Sequence, residues 1–319
     1  MAVARMAAAY PFVVVGLVAL TAIVPQPSGT LALVPILAPH LLLSTLLLVP
    51  VAVVVRDPVL RLALVLSVAV SLVMLGDEWI SWPRGTSEAA AVDLVSWNLQ
   101  LGARTPQEAV AALRQQDADI IALQELTNRA AAVIEADDVL RSRYPYRSLA
   151  PDPTVLGLGI LSAFPIASEQ LLDDPGSLTV WLDLGAGRRL AVVDVHPLPG
   201  RIGLFSFDGT RRDDDLGRLR ARVDDLIARD EPVVVIGDLN VASSEPSYRS
   251  FAAGLRDVHR EVGTGPGWTW RPGRLAWLGI GLLRIDYVLA SPGVVPLRES
   301  LDCGRPGDHC MVMARVAVP

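Results

Sequence analysis

Asp238 and Asn240 sit two residues apart at the end of the stretch Pro232 to Asn240, Pro-Val-Val-Val-Ile-Gly-Asp-Leu-Asn. On an extended backbone both side chains project to one side, and Gly237 leaves room for a ligand to approach. A carboxylate beside an amide suits phosphate ester hydrolysis, because the acid handles a proton of water while the amide holds a phosphoryl oxygen. Taken alone, the segment reads more readily as a strand that stops at an Asx turn. Other polar residues stand in the same kind of place: Asn98, Glu125, His196, Asp286 within Arg-Ile-Asp-Tyr, and Asp308 with His309. Each one singly is a cap or a turn residue. Their shared position at strand ends is the argument, since a rigid sheet fixes the geometry of groups on the loops that leave it.

The elements that must position them follow from pattern. Val233 to Ile236 is a β-branched run that describes a strand buried on both faces. Ala91 to Asn98 and Ile120 to Gln124 end on Asn98 and just before Glu125. Leu158 to Ser162, Thr179 to Leu184, Arg189 to His196, Ile285 to Ala290 and Met311 to Val318 are further strands, with Gly185-Ala-Gly187 as a turn. Thr105, Pro106 and Glu108 form a capping-box start for a helix to about Gln116. Leu216, Leu219, Val223, Leu226 and Ile227 make the apolar stripe of a second helix, Asp213 to Arg229. Strands and helices mix without strict alternation, so the expected class is α/β, with sheets covered by helices.

The rest of the composition is not that of one soluble domain: 51% of residues are hydrophobic and mean hydropathy is +0.41. The excess lies before residue 76, where Arg5, Arg56, Asp57 and Arg61 are the only charges. Three apolar runs, 6–24, 31–55 and 59–75, each come near the roughly 20 residues that cross a bilayer. A cleaved signal peptide competes for the first run, without a convincing cleavage site. Arg5 precedes the first run and Arg56 and Arg61 bracket the second connection, which places these ends in the cytoplasm and everything after residue 75 outside the cell membrane. Two crossings instead of three would reverse that. Residues 76–90 read as a short linker with interfacial Trp79 and Trp82, and 91–319 as the catalytic domain.

At these residues the chain resembles the endonuclease/exonuclease/phosphatase superfamily of DNase I-like enzymes. The matching pieces are Ser96-Trp97-Asn98, Gln124-Glu125, Gly159 to Ser162 before Phe164-Pro165, His196, Gly237 to Asn240, Ile285-Asp286-Tyr287 and Gly307-Asp308-His309. Seven pieces in family order carry the resemblance, which spans residues 91–318. It implies a four-layer α/β sandwich, two packed mixed sheets flanked by helices, here preceded by an N-terminal transmembrane helical segment. It also implies a divalent metal, usually Mg2+, with Mn2+ as a substitute. Glu125 corresponds to the main metal ligand, with Asn98 near it and Asp308 contributing; the first two are oxygen donors that suit a hard cation. His309 corresponds to the catalytic histidine and Asp286 to its orienting carboxylate. Asp238 handles the proton of the attacking water, Asn240 contacts the phosphate, and His196 holds a phosphoryl oxygen or aids the leaving group. Leu239 in the Gly-Asp-x-Asn piece and Gly307 in place of the common serine are departures that remove no functional group.

The expected activity is therefore that of a membrane-anchored phosphoester hydrolase, acting on a phospholipid or sugar phosphate at the membrane lipid bilayer. A nuclease acting on extracellular nucleic acid is the alternative, and Arg201, Arg211, Arg212, Arg271, Arg274 and Arg284 are the arginines that could serve it. The formal charge of −6 counts against tight nonspecific duplex binding. A non-catalytic receptor on the same fold is a third reading, opposed by the presence of Glu125, Asp238 and His309. The two cysteines, Cys303 and Cys310, leave a disulfide and a pair of buried thiols both open. His40 is expected to be structural, and His259 an ordinary surface or helix residue. Trp268-Thr-Trp270 and Leu275 to Leu283 read as core packing, with a surface that dips into lipid as the alternative.

Overall fold

The computed structural model describes residues 2–80, 90–100, 105–174, 176–304 and 307–319. At its N-terminus helix α1 (Ala2–Ile23) leads through a two-residue strand, β1 (Ser28–Gly29), to α2 (Leu33–Thr45). A 3-10 turn at Leu46–Leu48 joins α2 to α3 (Val49–Val55), and α4 (Pro58–Trp79) follows. The break before α3 has a covalent cause, because Pro50 in its first turn has no N–H to continue the ladder. Asp57 caps α4, accepting from the N–H groups of Val59 at 2.9 Å and Leu60 at 3.1 Å. The spans Arg5–Ile23, Leu33–Val55 and Pro58–Trp79 are each long and apolar enough to cross a membrane.

The third helix is longer than the expected 59–75: Gly76 to Trp79 continue it instead of starting a linker. Residues 81–89 of the expected linker, with Trp82, lie outside the described residues. Val14, Val18, Val34, Ala38, Leu42 and Leu75 pack inside the bundle, while Val54 and Val73 turn outward with 80% and 84% exposure. Large aliphatic side chains on the outside are costly in water and ordinary in lipid.

The remainder folds as two six-stranded mixed sheets face to face. The first has the order β14 (Val295–Asp302), β15 (Met311–Ala317), β2 (Ala91–Asn98), β3 (Ile120–Gln124), β5 (Leu158–Ser162), β4 (Tyr146–Ala150). The second runs β12 (Arg256–Asp257), β13 (Asp286–Ala290), β11 (Val233–Asp238), β8 (Arg188–Val195), β7 (Gly176–Gly185), β6 (Ile166–Asp173). Leu94, Ile120, Ile160, Val180, Val192, Ile236 and Val288 meet in the layer between them. Helices α5 (Pro106–Leu113), α6 (Asn128–Ala136) and α7 (Asp138–Arg143) cover the first sheet, and α8 (Thr210–Ile227) and α9 (Pro246–Ala252) cover the second. This is the four-layer α/β sandwich, and the expected capping box at Thr105 and Glu108 is formed. Each sheet has one parallel pair, β2 with β3 and β11 with β8, and its other neighbours are antiparallel. Strands β2 and β11 end at the same edge of the sandwich, where Asn98 Nδ2 lies 3.1 Å from Asp238 Oδ2.

The helices are seated on this domain. Strand β1, between α1 and α2, pairs with β10 (Phe207–Asp208), which pairs with β9 (Arg201–Ile202). Ser244 Oγ donates to the Pro35 carbonyl at 2.6 Å, and His40 Nε2 lies 2.7 Å from the Leu282 carbonyl with its ring 4.8 Å from that of Trp268. At the far end of α4, Glu78 pairs with Arg284 at 3.3 Å. His259, expected at a surface or on a helix, is in α10 (Val258–Val262) but buried, its Nδ1 2.7 Å from Glu299 and its Nε2 3.0 Å from the Gly265 carbonyl. A neighbouring carboxylate on a distant strand could not be read from local pattern.

Candidate active site

The central strand β11 ends in Gly237 and Asp238, and Asp238 is paired across the ladder with Asp286 of β13. Gly237 has φ 135°, and a Cβ there would meet the Val195 carbonyl at 2.3 Å, so only glycine lets β11 close on β8 at the site. In the other sheet Asn98 pairs with Gln124, and Glu125 follows with φ 55°, an uncommon backbone for a residue with a side chain. Asn98 bridges the two sheets: its Nδ2 donates to Glu125 Oε1 at 3.0 Å and to Asp238 Oδ2 at 3.1 Å. Its Oδ1 accepts the Gln100 N–H at 2.8 Å. In this arrangement Asn98 turns donors, not its oxygen, toward the carboxylates.

His309 Nδ1 lies 3.0 Å and 3.1 Å from the two oxygens of Asp286. That bond fixes the proton on Nδ1 and points Nε2 at Asp238 Oδ2, 3.7 Å away, and Asp308 Oδ1, 4.0 Å away. Burial alone would push the His309 imidazole toward neutrality, but Asp286 and Asp238 outweigh it and raise it to about 10. Asp238 is raised to about 6, by burial first and by the charge of Asp286 next, with His309 and His196 opposing. A cation bound beside these groups pulls both values down. His196 is anchored through Nδ1, 2.8 Å from the Val155 carbonyl, and directs Nε2 to Asp238 at 3.6 Å and Glu125 at 3.9 Å. Asn240 adopts φ 52°, its N–H bonds Asp238 Oδ1 at 2.8 Å and its Nδ2 donates to the Pro197 carbonyl at 3.0 Å.

These groups share one cavity of about 430 Å³, lined by Glu125, His196, Asp238, Asn240, Asp308 and His309. Asn98 and Asp286 stand directly behind it, so all eight residues singled out in the sequence come together. Asp238, Asp286 and His309 also have ligand atoms within 4.8 Å of one another. The carboxylates at the cavity, Glu125, Asp238 and Asp308, are oxygen donors that fit a hard divalent cation.

Several residues contribute to the site in ways that the sequence does not signal. Arg212 lines the cavity, is buried, and donates to the Asn240 carbonyl at 3.0 Å while pairing with Glu245 at 2.6 Å. Gln124 holds Asp194 at 2.7 Å beneath Glu125, and burial pushes that aspartate well up. Leu33, Ile36 and Leu37 of α2 also line the cavity. Their partners are far away in sequence, and no local pattern signals such contacts. Among the arginines considered for nucleic acid, Arg212, Arg271 and Arg284 are buried in internal contacts; the side chain of Arg274 lies outside the described residues. Cys303 and Cys310 form a disulfide, Cα to Cα 4.3 Å, beside His309. Trp268 packs on His40 and Trp79, whereas Trp277 and Ile280 are exposed.

Fold and site together define an α/β sandwich with an acid and histidine centre at the strand ends of both sheets. The chain belongs to the Endonuclease/Exonuclease/phosphatase family, whose model matches residues 95–309. Members of that family are phosphoester hydrolases. A truncated TDP2 from Caenorhabditis elegans is similar in structure, at 19% identity and TM-score 0.56, covering 71% of this chain and 98% of that one. The 3' phosphatase NExo from Neisseria, bound to a product DNA hairpin, gives 21% identity, TM-score 0.56 and coverage of 70% and 98%. Sphingomyelinase C from Streptomyces griseocarneus gives 20% identity, TM-score 0.53 and coverage of 71% and 99%. No curated protein sequence matches the chain. The family match begins after the N-terminal helices.

Proposed function

We propose that this protein is a membrane-anchored, extracytoplasmic phosphoester hydrolase that uses Mg2+ and acts on a phosphoester presented at the membrane surface. The observation that carries the reading is one array around one cavity: Asp286 on His309 Nδ1, with Asp238 and Asp308 facing Nε2, and Glu125 and His196 across from them. Glu125 and Asp308 are the residues to hold the cation, which supplies positive charge to the phosphoryl oxygens. Asp238, raised toward neutrality, takes the proton of the attacking water. His309, kept as imidazolium by Asp286, stabilises the negative charge that develops on phosphorus-bound oxygen. Asn240 spends one N–H on Pro197 and has a second for the phosphate, while His196 faces the leaving-group side.

Nucleic acid is the competing substrate, since TDP2 from Danio rerio and NExo are each described in complex with DNA. The burial of Arg212, Arg271 and Arg284 removes half of the arginines that would form its groove. The full chain in detergent should hydrolyse an activated phosphodiester only with Mg2+ or Mn2+, and Glu125→Ala and His309→Ala should each lose about a hundredfold or more in kcat. Full activity of either variant in the presence of chelator removes the mechanism.

A further inference from the structure

The catalytic cavity has one wall that family chemistry does not explain. Leu33, Ile36 and Leu37, in the first turns of α2, line the same 430 Å³ space as Glu125 and His309. Leu37 is 41% exposed, so this wall is not filled by the protein's own packing. The wall is held in place, because the Pro35 carbonyl, within it, accepts from Ser244, and His40, one turn beyond it, bonds the Leu282 carbonyl. Next to it, Ile202 lines the cavity and starts a hairpin whose tip carries Leu204 and Phe205, 88% and 73% exposed. That hairpin is joined through β10 to β1, in the connection that leads into α2. Apolar side chains of the cavity wall therefore stand at the start of the Leu33–Val55 span, which is long and apolar enough to cross a bilayer.

Charged oligonucleotide backbone gains nothing from such a wall, and a sugar phosphate would leave it wet. A hydrocarbon chain covers it, and each methylene it buries favours binding by about fourfold. We propose that the N-terminal turns of α2 are an apolar subsite of the active site, holding the chain of a membrane lipid whose phosphoester lies between Glu125 and His309. This rests on the phosphoester hydrolase reading and narrows its substrate to a lipid phosphoester that keeps its chain against α2 while its headgroup reacts.

The test uses the full chain in detergent and p-nitrophenyl phosphodiesters whose second substituent is methyl, butyl or hexyl, all kept monomeric. kcat/KM should climb with chain length, by about fourfold for each methylene that reaches the wall. Ile36→Gln and Leu37→Gln should flatten that climb. A wild-type enzyme that hydrolyses the three esters equally well overturns the subsite and leaves the hydrolase reading standing; so does a climb that both variants retain. Absence of any Glu125-dependent hydrolysis, the methyl ester included, overturns the hydrolase reading and the subsite with it. The wild-type series alone decides the matter if a variant fails to fold.

Discussion

His309 faces carboxylates at both ring nitrogens, and the two sides do different work. Asp286, bidentate at Nδ1, sets tautomer and orientation; Asp238 and Asp308 share the space before Nε2. Because the pKa of His309 is raised above its ordinary 6.5, the charged pair contributes stability fully below about 6.5, and that contribution is lost as pH rises through about 10. Asp286→Asn keeps the shape and removes the charge. It should lower kcat by about a thousandfold or more, and the imidazole titration followed by NMR should move down from about 10. An unchanged titration would show that Asp286 does not control the ring. Glu125, Asp238, Asp286 and His309 could be found from the sequence because each sits at or beside an end of a patterned strand, and the family resemblance supplied their roles. Arg212 could not, since its use depends on Glu245 and Asn240 arriving from another loop. The oxygen of Asn98, expected near the metal, also accepts the Gln100 N–H, a turn detail that residue types do not reveal.

At the scale of elements, the strand that carries Asp286 is tied to α4 and α10 by one buried cluster. Arg284, just before β13, donates to Asp257 at 2.9 Å and to Glu78 of α4 at 3.3 Å. Asp257 caps α10 by accepting from the His259 N–H at 3.1 Å, and Tyr248 donates to it as well. Burial would raise the Asp257 carboxyl, but Arg284 outweighs burial and holds it at about 2. A depressed carboxylate contributes stability above its unfolded value of about 3.8, and loses it as pH falls through about 2. Asp257→Asn leaves the buried Arg284 with Glu78 as its remaining carboxylate and should cost about 3–5 kcal/mol in unfolding experiments near neutral pH. The gap between variant and wild type should close as the pH approaches 2. A gap that stays constant down to that pH would mean the cluster is not charged as described. The buried strands β2, β3 and β11 were readable as unbroken apolar or alternating runs. Strand β6, Ile-Ala-Ser-Glu-Gln-Leu-Leu-Asp, was not, because an edge strand exposed along most of its length has no inward face to betray it.

For the whole molecule, the seating of the apolar helices on the domain bears on which side of a membrane the cavity would face. The three apolar spans were evident from length and composition, whereas their seating on the domain was not, since it joins residues near position 30 to residues beyond 200. That seating carries an argument about topology. The connection between α1 and α2 bonds to the domain through β1 and β10, and the C-terminal end of α4 reaches it through Glu78 and Arg284. Both therefore lie at the domain's end of the bundle, and α1, at 22 residues, carries Arg5 to the other end. Arg56, just before α4, and Arg61, in its first turn, belong to that same far end, since the 22-residue helix carries the chain from Pro58 to Trp79. Positive charge favours the cytoplasmic side, so the proposed orientation puts the far end inside and the domain outside. The disulfide at Cys303 and Cys310 suits an oxidising compartment and points the same way. A reporter that works only in the cytoplasm, fused after Pro319, should be silent, while one fused at Arg56 should be active. Strong activity from the Pro319 fusion would invert the topology and place the catalytic cavity against the inner leaflet.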